Sequence, residues 1–299
     1  MTMEPLARSI LAPEPATTVR GLFLPSLRRP VFVGFAIGWL ALALIVALLA
    51  GLIAPYDFRA LDLGARLAPP VFLGGLASHP LGTDELGRDV LSRLLMSVQI
   101  SFTVAFCATL ISALIGVTLG FLAAHFRGLI DQIVLMLIDL QAVMPFMIFA
   151  LAVLAFFGND LRLFVLLMGF YGWERTARIS RGLAIAANAQ GYVEAVRQLG
   201  ARPSRVYFAH ILPNTASTLI VAMTLSFPEI ILLESGLSFL GLGVQPPLTS
   251  LGNMVGYGRD YLQSAPWIPL APSVVIVLST LAVSILGDWL RDRLDPAIR

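Results

Sequence analysis

The chain has 299 residues, of which 58% are hydrophobic and only 13% charged, about half the charged share of a soluble domain. Its formal net charge of +2 gives no footprint for nucleic acid, and its single cysteine excludes a disulfide framework or a cysteine-based metal site. All 20 basic residues are arginine; without a lysine the chain cannot build a Walker-type ATP site or a Schiff base.

Residues 1–30 are polar and contain proline, and the apolar run that follows is too long for a cleavable signal. They read as a tail, with Arg28 and Arg29 as a positive-inside anchor. Runs of about 20 apolar residues then predict six transmembrane helices: Val31–Ile53, Ile100–Ala124, Ile130–Phe157 with a kink at Pro145, Leu161–Thr176, Ala216–Leu240 and Ile268–Leu290. The fold class is an all-α polytopic membrane protein. The expected organisation is a tail 1–30, a first span 31–53, a segment 54–99, a five-span core 100–290 with a polar loop 177–215, and a tail 291–299. With both termini inside, 14 of the 20 arginines fall on the inner side, as the positive-inside rule requires. Glycine pairs four apart, Gly34/Gly38 and Gly116/Gly120, mark faces for close helix packing. Cys107 reads as buried packing.

In the segment 54–99, Val90, Leu91, Leu94, Leu95 and Val98 form an apolar stripe, read as an interfacial helix feeding the second span. Asp84, Glu85 and Asp89 lack the ligand spacing of a calcium loop and read as capping and pairing with Arg88 and Arg93. Asp139, Glu229 and Glu234 lie inside apolar spans. Such groups face a water-filled path or pair structurally, and the sequence leaves both open.

Within the loop 177–215, Tyr192–Asn214 is the most informative stretch. Tyr192, Val193, Val196 and Leu199 share one helical face, while Glu194, Arg197 and Gln198 share another, with Glu194 and Arg197 placed to pair at i, i+3. Gly200 suits a helix stop and Pro203 the first turn of a second helix. The apolar stripe has no evident partner in the sequence. It fits docking into a groove of another protein or lying on a membrane surface.

Glu194-Ala195-Val196, Gly200 and His210-Ile211-Leu212-Pro213-Asn214 resemble the Glu-Ala-Ala, Gly and Ile-x-Leu-Pro pattern of the coupling loop in ABC importer permeases. Val196 replaces the second alanine, and Ala209 stands where an arginine is usual. The run His79–Arg93 and the stretches Leu237–Pro247, Gly258–Trp267 and Leu286–Asp292 resemble the C-type subunit of dipeptide/oligopeptide/nickel importers. Ser97-Val98-Gln99-Ile100-Ser101 departs from that family's Gly-Ala-Arg-Ile-Ser, and Leu251 replaces a common tryptophan. The resemblance covers residues ~79 to 296. It implies a type I ABC importer permease fold in a bacterial inner membrane, with both termini cytoplasmic.

It further implies a permease subunit forming half of a path for peptides, with nickel chelates, glutathione or opine-like solutes as alternatives. The implied partners are a second homologous permease, two ATPase subunits that hold the ATP and Mg, an extracytoplasmic solute-binding protein and membrane lipid. The chain itself carries no cofactor, metal or catalytic residue in this reading. Coupling falls to Tyr192, Val193, Glu194, Ala195, Val196, Arg197, Leu199, Gly200, Arg202 and Pro203. Arg88, Asp89, Arg259, Asp260, Tyr261 and Trp267 are the candidates for an outer gate or a binding-protein contact, or they fold the outer loop. Against an intramembrane enzyme stands the lack of His-Glu-x-x-His and Gly-x-Ser-x-Gly. An ion-coupled transporter would explain the spans and Asp139, but leaves the docking loop without a purpose.

Overall fold

The computed structural model describes residues 29–294; the expectations for the rest of the two tails, including Arg28, lie outside them. Among the described residues the only β pairing is a single bridge between Thr83 and Asp89. Eleven α-helices follow in order. They are α1 (Arg29–Ile53), α2 (Val90–Phe126), α3 (Gly128–Val143), α4 (Phe146–Phe157), α5 (Leu161–Gly169) and α6 (Trp173–Asn188). After these come α7 (Gly191–Gln198), α8 (Pro203–Arg205), α9 (Leu212–Phe239), α10 (Leu251–Gly258) and α11 (Trp267–Leu294).

Among the described residues four helices are long and apolar enough to cross a membrane, or five if the bent pair α3–α4 is one span, against the six expected. Two local causes account for the difference. Pro145 has no N–H to continue α3 and drives Met144 into an extended conformation, so the expected kink is a full break with an 88° bend. The expected fourth span divides at Phe170–Gly172, where Gly172 takes φ 78°. The nine residues of α5 reach about 14 Å, well short of a bilayer core.

The expected interfacial helix and second span are one element. Asp89 caps α2 by accepting from the Ser92 N–H at 2.7 Å, and the helix then runs 37 residues without interruption, about 55 Å. Residues 177–188, expected as loop, are helical. Ala177, Ser180, Ala184 and Ala187 of α6 are buried, and these small side chains let α6 lie along α2.

The two glycine pairs part company. A Cβ on Gly116 would meet Thr176 Cβ at 2.6 Å and Trp173 O at 2.7 Å, so α2 and α6 are in backbone contact. A Cβ on Gly34 or Gly38 would meet nothing within 4 Å, so those two serve no close packing among the described residues. Helix α1 is held by other contacts: Trp39 Nε1 donates to Ser279 Oγ at 3.0 Å and Gln99 Nε2 to Ala47 O at 2.7 Å. Cys107 is half-buried rather than enclosed.

The main core joins α2, α4, α5, α9 and α10 through Val104, Phe146, Phe164, Met168, Ile230, Leu237 and Leu251. A second core at the α7 end joins α2, α6, α7 and the start of α9.

Candidate coupling end and charged face

After Asn188, Ala189 and Gln190 turn the chain into α7. Gly200 stops α7 as expected: it takes φ +79°, its N–H donates to Arg197 O at 2.9 Å, and the Ala201 N–H donates to Val196 O at 3.3 Å. This pair of bonds is the Schellman arrangement, which needs a left-handed residue and therefore favours glycine. Arg202 is extended, and Pro203 opens α8 at its first position.

The apolar stripe of α7 is not left without a partner, which corrects the reading of the sequence. Val193 is wholly buried and Val196 partly, against Phe121, Ala124, Ala184, Ala187, Val206, Tyr207 and Ile211. Short chains on α6 leave a nest into which the two valines fit. Glu194 and Arg197 do not pair; Arg197 donates to Asn188 Oδ1 at 2.6 Å, and Asn188 Nδ2 donates to Tyr207 Oη at 3.1 Å. The outward surface is Glu194, Ala195, Gln198, Leu199, Arg202, Pro203 and Arg205, with Tyr192 at its edge.

Phe208, 70% exposed and three residues beyond Arg205, was missed from the sequence. Residues 206–211 form one turn of π-helix. Val206 and Ile211, five apart, both face inward, which is the π spacing. That spacing is readable in the sequence and leaves Phe208 outside.

Above the coupling end, α6 carries three arginines one turn apart, each paired with a carboxylate from another helix. Arg181 clasps Asp131 of α3 through two bonds, 2.5 and 2.7 Å. Arg178 reaches Asp139 of α3 through one bond of 3.0 Å, and Arg175 reaches Glu229 of α9 through one of 2.7 Å. The Arg178–Asp139 side chains are 58% and 73% exposed, and those of Arg175–Glu229 55% and 40%. Glu229 lies past the middle of α9.

Glu234 has a different environment from Asp139 and Glu229. It is wholly buried. Its carboxylate accepts from Ser238 Oγ at 2.8 Å, Ser101 Oγ at 3.1 Å and Ser235 Oγ at 3.4 Å. Ser101 Oγ accepts in turn from the Leu251 N–H at 3.1 Å, and Ser238 Oγ from the Val244 N–H at 3.3 Å. The cage therefore ties α2, α9 and α10 together. Glu234→Leu leaves these hydroxyls without their acceptor in a dry site and is expected to cost about 2–4 kcal/mol. Glu234→Gln keeps an acceptor and should cost less. Thermal melting of the two variants in detergent measures the difference, and equal melting temperatures would remove the cage from the account.

At the start of α2, away from α7, Arg88 donates to Asp84 at 2.7 Å and Glu85 at 2.8 Å, and buried Arg93 also pairs with Asp84. Asp89 is 3% exposed, capping α2 and meeting His79 Nδ1 at 3.0 Å; it is a fixture of the loop and offers no surface. Trp267 Nε1 donates to Thr83 O at 3.1 Å, and Tyr261 packs with Val90, Met254, Ala265 and Ile268. Of the six candidates at this end, only Arg259 and Asp260 are well exposed, at 59% and 76%.

Comparison with known proteins agrees with this architecture. The family described as "binding-protein-dependent transport system inner membrane component" matches residues 116–299. The chain is 38% identical to a di/tripeptide transport system permease protein of Pseudomonas aeruginosa, over 88% of each chain. It is 36% identical to an oligopeptide transport system permease protein of Mycobacterium bovis, over 82% of this chain and 83% of that one. It is 35% identical to a glutathione transport system permease protein of Pectobacterium atrosepticum, over 89% and 88%. A multi-pass membrane chain with these relatives over most of its length belongs to the family of binding-protein-dependent transport system inner membrane components.

Proposed function

We propose that this chain is the membrane subunit of a bacterial importer that carries short peptides inward, and that it works beside a second permease of similar fold. The names of its relatives support the cargo, and the outward surface of α7 supports the mechanism. In this reading the α7 end and both termini are cytoplasmic, and the α10 end meets an extracytoplasmic solute-binding protein through Arg259 and Asp260. Two ATPase subunits bind the ATP and Mg and seat Glu194, Ala195, Gln198, Leu199 and Phe208 in a groove.

The single observation that carries the mechanism is the keying of Val193 into its nest. A helix attached only by its ends would flex under load. One with a wholly buried valine passes displacement straight into α2, α6 and α9. ATP-driven closure of the ATPases moves α7, the bundle rocks, and a path lined in part by Asp139 and Glu229 opens to the binding protein. Hydrolysis resets it. Glu234 braces the wall of that path from behind.

Affinity capture of the complex from mild detergent tests the docking surface. Leu199 is 86% exposed, so Leu199→Glu leaves the fold of the subunit intact while placing a charge in the groove. The ATPase is expected to co-purify with the unaltered subunit and to be reduced at least about tenfold by Leu199→Glu, the ratio for 1.4 kcal/mol. Full recovery with the variant would move the docking surface elsewhere.

A further inference from the structure

The three ion pairs along α6 are not alike. The Arg181–Asp131 pair is closed, with two guanidinium nitrogens on two carboxylate oxygens, and its side chains are only 25% and 19% exposed. Arg178–Asp139 and Arg175–Glu229 each rest on one nitrogen and one oxygen. Each of these arginines therefore has donors to spare, and each carboxylate has a second oxygen. Beside Arg175, Glu174 adds a further acceptor: its Oε2 is buried and has no hydrogen-bond partner.

We propose that Arg175 and Arg178, together with Glu174, Glu229 and Asp139, form a recognition strip for the two charged termini of a short zwitterionic peptide inside the membrane. The proposal rests on the reading of this face as part of the translocation path. An exposed single-contact ion pair is worth about 0–1 kcal/mol, so an incoming group can open it at little cost. A peptide carboxylate takes the freed guanidinium of Arg178 through two parallel bonds, the geometry for which arginine is suited. The ammonium end takes the released carboxylate of Glu229, which is 40% exposed, and Glu174 adds a second acceptor by turning its buried, unpartnered Oε2 outward. Glu174 and Arg178 are one helical turn apart, about 6 Å along the axis. The two termini of an extended di- or tripeptide lie about 7–10 Å apart, and the two side chains supply the remaining reach.

Charge also argues for a zwitterion over an ion. Both signs alternate along the strip, so a passing zwitterion exchanges partners without leaving a bare charge at membrane depth, which would be costly. A strip built for a metal cation would gather carboxylates or histidines. Among the described residues, no group of three His, Cys, Asp or Glu side chains is placed to hold a metal ion.

The test is saturation-transfer difference NMR on the complete importer complex in nanodiscs, prepared without the solute-binding protein. The probes are trialanine, its C-terminal amide, its N-acetyl form and the doubly capped peptide, at millimolar concentration. The unaltered complex is expected to saturate trialanine and to give a signal at least about tenfold weaker with the doubly capped peptide, the loss of a charge-assisted contact. Arg178→Gln should abolish the preference for the free carboxylate over the amide. Glu174→Gln should abolish the preference for the free amine over the N-acetyl form. Equal signals from free and capped peptides in the unaltered complex, or no signal at all, overturn the proposal. So does retention of both preferences in the two variants. Uptake of trialanine by proteoliposomes with the binding protein added back separates this from the broader reading. Uptake without terminus selectivity rejects only the strip, whereas no peptide uptake rejects the cargo assignment itself.

Discussion

Gly200→Pro is expected to reduce peptide uptake at least about tenfold while the subunit remains inserted and bound to its partners. Proline fixes φ near −65°, and Gly200 sits at +79°. Proline also removes the N–H that donates to Arg197 O at 2.9 Å. The cost, about 3 kcal/mol, falls on the geometry that aims Arg202 and Pro203 away from α7. Space is not the issue, since a Cβ here would meet nothing within 4 Å. Gly200→Ala should therefore be mild, losing only the roughly 1 kcal/mol of a left-handed alanine. Uptake measured beside ATP hydrolysis in proteoliposomes gives the comparison. Hydrolysis that continues while uptake fails identifies uncoupling; undiminished uptake in the proline variant would falsify the elbow as the coupling element.

The largest effect on stability is expected at Gly116. A Cβ there would lie 2.6 Å from Thr176 Cβ, 2.7 Å from Trp173 O and 3.0 Å from Ala177 N. Two of these neighbours are backbone atoms that cannot rotate aside. Gly116→Leu must therefore push α6 off α2, costing about 3 kcal/mol or more, and should yield little monodisperse protein by size-exclusion chromatography. Gly38→Leu is the control, because the same small-residue spacing there meets nothing among the described residues. Its fold should survive unchanged. If both variants chromatograph alike, close backbone contact is not what seats α6.

The contrast between those glycines shows how far a sequence pattern reaches. Spacing identifies small-residue faces but does not say which of them another helix of the same chain occupies. Long apolar runs were legible because length and composition alone mark a span, so α1, α9 and α11 lie close to their predicted places. Pro145 marked the place of the α3–α4 break but not its 88° bend, and the α5–α6 turn was not legible, since hydropathy is blind to a change of direction within an apolar run. Gly200 and Pro203 announced their roles through chemistry that few other residues share. The burial of Val193 was hidden because its partners, Phe121, Tyr207 and Ile211, lie far away in sequence or across the elbow itself. The intramembrane carboxylates were found by type. Their sorting into a sealed cage at Glu234 and open pairs at Asp139 and Glu229 needed the fold, because burial is set by neighbours that one span does not contain.

Helix α2 touches both ends of the machine. Near its start, Ser97 Oγ meets Thr249 Oγ1 at 2.9 Å and Ser101 joins the Glu234 cage; near its finish, Phe121 and Ala124 line the nest that holds Val193. Between Ser97 and Phe121 it is an unbroken rod of about 36 Å. Such a rod acts as a lever: pivoting near one end by about 5°, it swings the other end by about 3 Å, the width of a water molecule. A displacement too small to disturb the packing around Val193 is thus geometrically sufficient to admit or exclude solvent at the far side of the membrane.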